Sequence, residues 1–452
     1  MPYENTLSNF PAVTIVGGGL AGCEAALQLA ARGVPVKLVE MRPDVQTDVH
    51  RTGDVAELVC SNSFKSDNPD TAAGCLKEEL ALYGSQLLAA ARETALPAGG
   101  ALAVDRTRFS AAVQARIESQ PLIALERAEV TDLPEGPAII ATGPLTSDAL
   151  ASRIAEDLGS EGLAFYDAAA PIVEADSIDR DIVFAQSRYD KGGADYLNAP
   201  FDKLSYEAFI EELVKADRVI VRDFERRELF AACQPVEEVA RTGKDALRYG
   251  ALKPVGLTDP RTGHRPWAAV QLRAENEGCT AYNLVGFQTN LKFGEQERVF
   301  RMIPGLERAE FSRFGVMHRN TFVDTPHQLT KTLALPKHPD VHLAGQLTGT
   351  EGYMEAVASG LFVALAVYAE LAGFSAPELP VDTVFGALME YATNSQTEDY
   401  QPMHVNYGII APIVPKIRNK SERKAAYASR AMSAAREFVA SRSDLFADVV
   451  EQ

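Results

Sequence analysis

Residues 13 to 40 read Val-Thr-Ile-Val-Gly-Gly-Gly-Leu-Ala-Gly-Cys-Glu-Ala-Ala-Leu-Gln-Leu-Ala-Ala-Arg-Gly-Val-Pro-Val-Lys-Leu-Val-Glu. An apolar run, a glycine turn, a helical pattern, a second apolar run and a terminal carboxylate follow one another, which predicts a βαβ unit with a dinucleotide site in its first turn. Gly17 lets the chain leave the strand sharply, Gly19 lets the backbone approach a pyrophosphate, and Gly22 lets the helix pack close to the sheet. Gly18, Leu20 and Ala21 complete the turn and the first helical residues, whose free N–H groups suit phosphate. Glu40, about 20 residues beyond the glycines, is placed to accept hydrogen bonds from ribose hydroxyls, which argues against a 2′-phosphate there.

Two distant segments extend this site. Pro137 to Gly143 is a short apolar strand ending in Ala-Thr-Gly, a turn that sets Thr142 and Gly143 beside a cofactor. Val341 to Gln346 predicts another strand, followed by a loop containing Gly349 and Gly352 and an apolar helix from about Tyr353 to Leu371. Such a piece can bring Gly345, Gln346 and Gly352 to the ribityl and pyrophosphate of FAD, and NAD alone would not usually need it. FAD is therefore the expected cofactor. The fold class that follows is α/β: a Rossmann-like FAD-binding domain built from residues 1–148 and 331–452, interrupted by an α+β insertion at 149–330. The insertion is read from short β-rich runs (Pro171 to Val173, Asp181 to Phe184, Val219 to Val221, Ala268 to Leu272, Tyr282 to Phe287) between turn signals such as Gly192-Gly193 and Asp259-Pro260-Arg261-Thr262-Gly263.

Composition narrows the class. With 452 residues, 46% of them apolar, the chain can bury a large core. No basic start followed by an apolar run opens it, and the uncharged stretch from Ala356 to Ala369 is shorter than the ~20 residues needed to span a bilayer. A cytoplasmic protein without membrane association is expected. Five cysteines without a C-x-x-C spacing predict thiols rather than a disulfide framework or a zinc site. His338 and His342 stand four apart, but Pro339 between them spoils a helical ligand face, so no metal is expected. A net charge of −18 counts against nucleic acid. Its distribution does not: Lys416 to Arg442 holds eight basic residues against Glu422 and Glu437, and Arg241 to Arg273 holds seven against Asp245 and Asp259. Each run is either a solvated face or a phosphate-binding one. The first, rich in alanine, predicts a C-terminal helix.

Among the thiols, Cys23 in the first helix reads as core packing, and Cys75 and Cys279 as structural. Cys60 differs, lying in the polar loop Leu-Val-Cys-Ser-Asn-Ser-Phe-Lys-Ser with Lys65 nearby; Cys233 also differs, lying before Pro235 in Phe-Ala-Ala-Cys-Gln-Pro, where the proline can leave it at a loop tip.

The blocks Ile-Val-Gly-Gly-Gly-Leu-Ala-Gly-Cys-Glu-Ala-Ala, Leu-Val-Cys-Ser-Asn-Ser, Ala-Leu-Ala-Val-Asp-Arg, Leu-Lys-Pro-Val-Gly-Leu, Gly-Phe-Gln-Thr-Asn-Leu-Lys-Phe-Gly-Glu-Gln and Gly-Gln-Leu-Thr-Gly-Thr-Glu-Gly-Tyr, running from about residue 12 to beyond 360, resemble the folate- and FAD-dependent tRNA (uracil-5-)-methyltransferases, the small GidA-like group. The resemblance implies conversion of the T-loop uridine of tRNA to 5-methyluridine, with methylenetetrahydrofolate as carbon donor, reduced FAD as hydride donor and NAD(P)H recharging the flavin. It implies that Cys233 adds to uracil C6, that Cys60 is the second thiol, and that Tyr353 lies against the flavin. tRNA is then the macromolecular partner, and no obligate protein partner is implied. The alanines Ala231 and Ala232 depart from the family pattern, which puts an acid beside Cys233 in doubt. Three rival readings are a small-molecule flavin oxidoreductase, a GidA-like flavoprotein modifying the wobble uridine, and a non-catalytic tRNA-binding flavoprotein.

Overall fold

The computed structural model describes residues 10–47, 49–159, 163–190, 193–219, 234–398 and 400–446. Cys233 falls outside the described residues, as do Ile220 and Val221 of one β-rich run.

The glycine motif forms as its spacing predicts. Strand β1 (Val13–Val16) leads through Gly17–Gly19 into helix α1 (Leu20–Ala31), and the chain returns as β2 (Val36–Glu40), parallel to β1. On the other side of β1 lies β3 (Ala138–Ile140), also parallel, and beside β3 lies β4 (His338–Leu343), again parallel. Ile123–Arg127 and the antiparallel Ala334–Leu335 close the two edges of this six-stranded sheet. Its central strands are buried apolar runs, as expected where helices cover a parallel sheet. Segments from both ends of the chain thus share one sheet.

Helix α2 (Tyr353–Ala372) runs on from β4 and lies directly against α1. The contact is backbone to backbone: a Cβ at Gly360 would stand 2.3 Å from the Ala21 carbonyl oxygen. By length and composition α2 could cross a membrane, yet most of it is buried in this core. Helix α3 (Lys420–Ser441) packs Tyr427, Ala428, Ala431, Ala435, Phe438 and Val439 onto the same core.

A second six-stranded sheet has the order Phe184–Ala185, Tyr196–Phe201, Ala268–Ala274, Ala281–Leu284, Ile172–Glu174, Phe311–Arg313, with every neighbouring pair antiparallel. Its own apolar core includes Phe201, Phe209, Phe287 and Phe300. The run from Asp181 narrows to Phe184–Ala185, because Ile182 and Val183 turn back on Asp179 through their N–H groups. Together the sheets and helices make an α/β fold.

The two cores meet at a polar seam. Asn62 Nδ2 donates to the carbonyls of Val104 (3.0 Å) and Ala274 (2.9 Å), Tyr196 OH donates to Ala98 O (3.0 Å), and the Gly99 amide donates to Asp195 Oδ2 (2.7 Å).

Candidate functional site

A cleft opens where β1, β2, β3 and β4 end at their C-terminal edge, the place where open α/β sheets hold ligands. It has two adjoining compartments that share Gly19, His50, Thr142 and Leu145.

The glycines that shape this cleft do three different things. Gly17 has φ +104°, and a Cβ on it would stand 2.7 Å from Ala141 O. A Cβ on Gly22 would stand 1.9 Å from Gly17 O, so only glycine lets α1 start this close to the strand. Gly19, by contrast, would meet nothing within 4 Å. Its missing side chain leaves room for a ligand rather than for protein. Gly19, Leu20 and Ala21 line the cleft, and no side chain caps α1, so its first-turn amides are presented to whatever lies there. This cradle fits a pyrophosphate.

At the far end of the first compartment, Glu40 is nearly fully buried. The Gly18 amide donates to Glu40 Oε2 (2.7 Å), while Arg42 donates to Oε1 through its amide (3.0 Å) and Nε (2.8 Å). Burial opposes the charge, but Arg42 and these amides outweigh it and hold the carboxyl below its usual range. The Gly18 amide is therefore engaged within the protein. The Glu40 carboxylate stays ionised against the cleft, with acceptor capacity left on Oε2.

The second compartment is lined by Thr142, Gly143, Gly345, Gln346, Tyr353 and Ala356. Gly345 gives its amide to Ser359 Oγ (3.0 Å) and its carbonyl accepts from Thr348 and Thr350, so it shapes the wall through its backbone turn. Gln346 Nε2 donates to Glu351 Oε1 (2.7 Å). Gly352, at φ +119°, holds a backbone conformation that other residues rarely adopt, and so sets the entry into α2.

Tyr353 is the link to the thiol. Its phenol oxygen accepts from the amides of Cys60 (3.0 Å) and Ser61 (3.1 Å), and burial pushes its pKa up, so it stays a neutral phenol. The half-buried Cys60 loop is held from the other side by arginines. Arg106 donates to the carbonyls of Leu58 and Cys60 and pairs with Glu275. Arg273 donates to Asn62 Oδ1 and Ser61 Oγ, both at 2.7 Å, and Arg313 donates to Val59 O. All three guanidiniums lie within electrostatic reach of the Cys60 sulfur. Burial pushes the pKa of Arg273 and of Arg313 down, which marks the cost of assembling these charges.

Sequence reasoning missed these arginines and His50, whose pKa burial and Arg42 push down to about 4. Arg106 did stand inside the block Ala-Leu-Ala-Val-Asp-Arg, where only its distant partners reveal its use. The expected cation beside Cys60, Lys65, is instead paired with Glu355 (2.8 Å). Arg273, placed in a basic surface run, is buried in the seam. Cys23 and Cys75 are buried, as core packing requires, whereas Cys279 is exposed at φ +51° in a turn and does not pack. Among the described residues no group of His, Cys, Asp and Glu is arranged to hold a metal.

Known proteins resemble this chain along most of its length. The family model for glucose inhibited division protein A matches residues 12–375. The methylenetetrahydrofolate–tRNA-(uracil-5-)-methyltransferase TrmFO of Synechococcus sp. (strain JA-3-3Ab) is 52% identical over 425 residues, covering 93% of this chain and 94% of the relative. The protein of the same description from Geobacter sulfurreducens is 53% identical over 424 residues, covering 93% and 97%. Among solved structures, Aquifex aeolicus GidA superposes with a TM-score of 0.70 at 16% identity, over 99% of this chain and 76% of that one, a likeness of fold.

Proposed function

The chain belongs to the GidA family and, within it, to the methylenetetrahydrofolate–tRNA-(uracil-5-)-methyltransferases, and from that premise we propose how its residues carry out C5 methylation of the T-loop uridine in tRNA. The observation that carries the reading is the Tyr353 bridge: one residue lines the glycine-turn cleft and holds the Cys60 loop by two hydrogen bonds. Redox cofactor and thiol thereby share one site.

The Rossmann-like region formed by residues 1–148 and 331–452 holds FAD, and the insertion at 149–330 reaches the adjoining Cys60 loop through Arg273 and Arg313. The amides of Gly19, Leu20 and Ala21 receive the pyrophosphate, Glu40 the adenosine ribose, and Thr142, Gly143, Gly345, Gln346 and Tyr353 the ribityl and ring. Gly17, Gly18, Gly22 and Gly352 set the backbone that makes this possible. When bound, FAD supplies the hydride that turns a one-carbon unit into methyl, and NAD(P)H restores its reduced form.

Uracil C5 is a poor nucleophile until a thiolate adds to C6 and leaves enolate character at C5, which then attacks the methylene carbon of methylenetetrahydrofolate. Loss of the C5 proton to a base and departure of tetrahydrofolate with the electrons of its C–N bond leave an exocyclic methylene, and hydride delivered to that carbon expels the thiolate from C6 and gives 5-methyluracil. Cys233 is assigned the addition to C6. Cys60, set among Arg106, Arg273 and Arg313, is assigned proton transfer or a supporting role as the second thiol beside the cofactor. The target base must leave its stack to reach both thiols. The burial of α2 in the core accords with a protein that acts on tRNA away from a membrane.

The test uses undermodified tRNA, labelled methylenetetrahydrofolate and NAD(P)H. Label should appear in 5-methyluridine, and Cys233→Ser should bind flavin normally yet leave the tRNA unlabelled; full labelling by that variant would remove Cys233 from the mechanism.

A further inference from the structure

None of the roles assigned above falls on the block Gly-Phe-Gln-Thr-Asn-Leu-Lys-Phe-Gly-Glu-Gln, residues 286–296. Its buried polar groups reach in two directions, and each direction ends at a segment that carries a thiol. One is the root of the Cys233 segment. Gln234, bonded to Cys233, leads through Pro235 into the short helix Val236–Arg241. The Val236 amide donates to Gln288 O (2.7 Å), and the fully buried Glu237 accepts from the Thr289 hydroxyl (2.9 Å) and the Asn290 amide (2.7 Å). The chain that enters the segment is tied to the same strip: the Val219 amide donates to Asn290 O (2.8 Å), and Arg218 bridges to Leu291 while its guanidinium pairs with Glu238 (2.8 Å).

The other direction leads to the Cys60 loop. Gln296, also fully buried, uses its whole side-chain amide: Nε2 donates to Leu291 O and Gly315 O, and Oε1 accepts from the Gly315 amide, each at 2.8 Å. Gly315 is pressed against the block a second time, since a Cβ on it would stand 2.6 Å from Thr289 Cγ2. Phe314 stacks on Phe293 at a centroid separation of 5.0 Å. Arg313 then donates to Val59 O, beside Cys60. Fixed contacts therefore run from Val236 and Glu237 through the block to Gly315, Arg313 and the Cys60 loop.

This path is not the cheapest way to fill a core. Burial pushes the Glu237 carboxyl up to about 7, because its neutral donors do not repay the loss of water. What the carboxyl and the Gln296 amide supply is direction: hydrogen bonds fix distance and angle, whereas apolar contacts permit sliding. A reaction that needs two thiols at one base tolerates little sliding, since a misplacement of about 1 Å costs about a hundredfold in rate.

Resting on the assignment of Cys60 and Cys233 to the reaction, we propose that residues 286–296 form a yoke that sets one thiol-bearing segment relative to the other, with Glu237 and Gln296 as its positioning residues. Both side chains are buried, so they act through the backbone that leads to each thiol: Glu237 on the chain next to Cys233, Gln296 through Gly315 and Arg313.

The test compares FAD-loaded, full-length wild type with Glu237→Leu, Gln296→Met, Thr289→Val and Glu237→Gln, each measured per bound flavin for the kcat of tRNA methylation, the KM for tRNA and the rate of flavin reduction by NAD(P)H. Leucine and methionine keep the volume and remove the hydrogen bonds. Each should lower kcat about a hundredfold while KM and flavin reduction stay near wild type. Thr289→Val, which loses one hydroxyl and no volume, should lower kcat about tenfold, and it decides the matter if a larger change prevents flavin uptake. Glu237→Gln keeps an acceptor for the Asn290 amide and a partner for the Thr289 hydroxyl, so it should recover most of the wild-type kcat. Wild-type kcat in the leucine, methionine and valine variants, or a loss that appears in KM or falls equally on flavin reduction, would overturn the yoke and leave the methylation reading standing. A wild type that leaves the tRNA unlabelled, or full labelling by Cys233→Ser, would instead overturn that reading.

Discussion

Gly19 and Gly22 sit three residues apart in one motif and should respond to the same substitution in opposite ways. Gly19 has φ −78° and ψ −168°, extended backbone open to any residue, and a Cβ there meets nothing within 4 Å. Gly19→Ala therefore adds neither strain nor overlap; the unfolded chain loses some freedom while the helix cap is slightly poorer, so stability should stay within about 0.5 kcal/mol of wild type. The added methyl stands in the cradle, however, and keeps a pyrophosphate from the α1 amides. Losing two charge-assisted hydrogen bonds at about 1.5–3 kcal/mol each comes to at least ~3 kcal/mol, or more than a hundredfold in flavin affinity. Gly22→Ala drives its methyl to 1.9 Å from a backbone oxygen that cannot step aside. The helix must move, at about 3 kcal/mol of stability or more. Flavin-stripped protein is followed by thermal unfolding, and FAD affinity by quenching of flavin fluorescence. Wild-type FAD binding by Gly19→Ala would refute the placement of the pyrophosphate, whatever happens at Gly22.

Two further perturbations probe the frame around the thiol and the core beneath it. Arg106→Met strands a Glu275 side chain that is only 6% exposed and frees two loop carbonyls, so it should destabilise by about 3–5 kcal/mol and slow turnover; Arg106→Met/Glu275→Met should recover 1–3 kcal/mol relative to the sum of the single changes, and strictly additive urea midpoints would show that the pair does not act as a clamp. His342, 2% exposed in β4, has its pKa pushed down by burial to about 4. Its ordinary value is about 6.5, so the unfolded chain takes up a proton that the folded one refuses, and the stability this group contributes is complete above pH 6.5 and lost as pH falls toward 4, by about 3 kcal/mol in all. His342→Leu should flatten the acid limb of the unfolding curve by that amount; Glu79 and Glu237, whose pKa values burial raises to about 7, act in the opposite direction but equally in both proteins, and parallel acid limbs would show that His342 is not held neutral.

What could be read from the chain before its structure follows from how far apart the interacting atoms lie in sequence. Gly17, Gly19, Gly22 and Glu40 fall within one βαβ unit, and its glycines reveal the turn because no other residue survives a 1.9 Å contact with backbone. The strand β4 was legible for a different reason: a short apolar run followed by glycines and a long apolar helix reads as a buried strand and a helix that covers the sheet. The electrostatics of Cys60 were not legible, and Lys65 shows why. Five residues from the thiol it looks like the local cation, but at φ +64° the chain carries it toward Glu355, 290 residues away in sequence. The cations that do reach Cys60 come from positions 106, 273 and 313, one on a helix of the first sheet's region and two on strands of the second. Arg273 then had two contradictory identities, a surface phosphate contact by composition and a seam residue by topology, and only the register Arg273↔Asn283 with Tyr196 on its other side decides for the seam. A charge run is informative about a surface only after the strands have removed the members they bury: Lys244, Lys253, Arg261 and Arg265 stay exposed, and Arg273 does not.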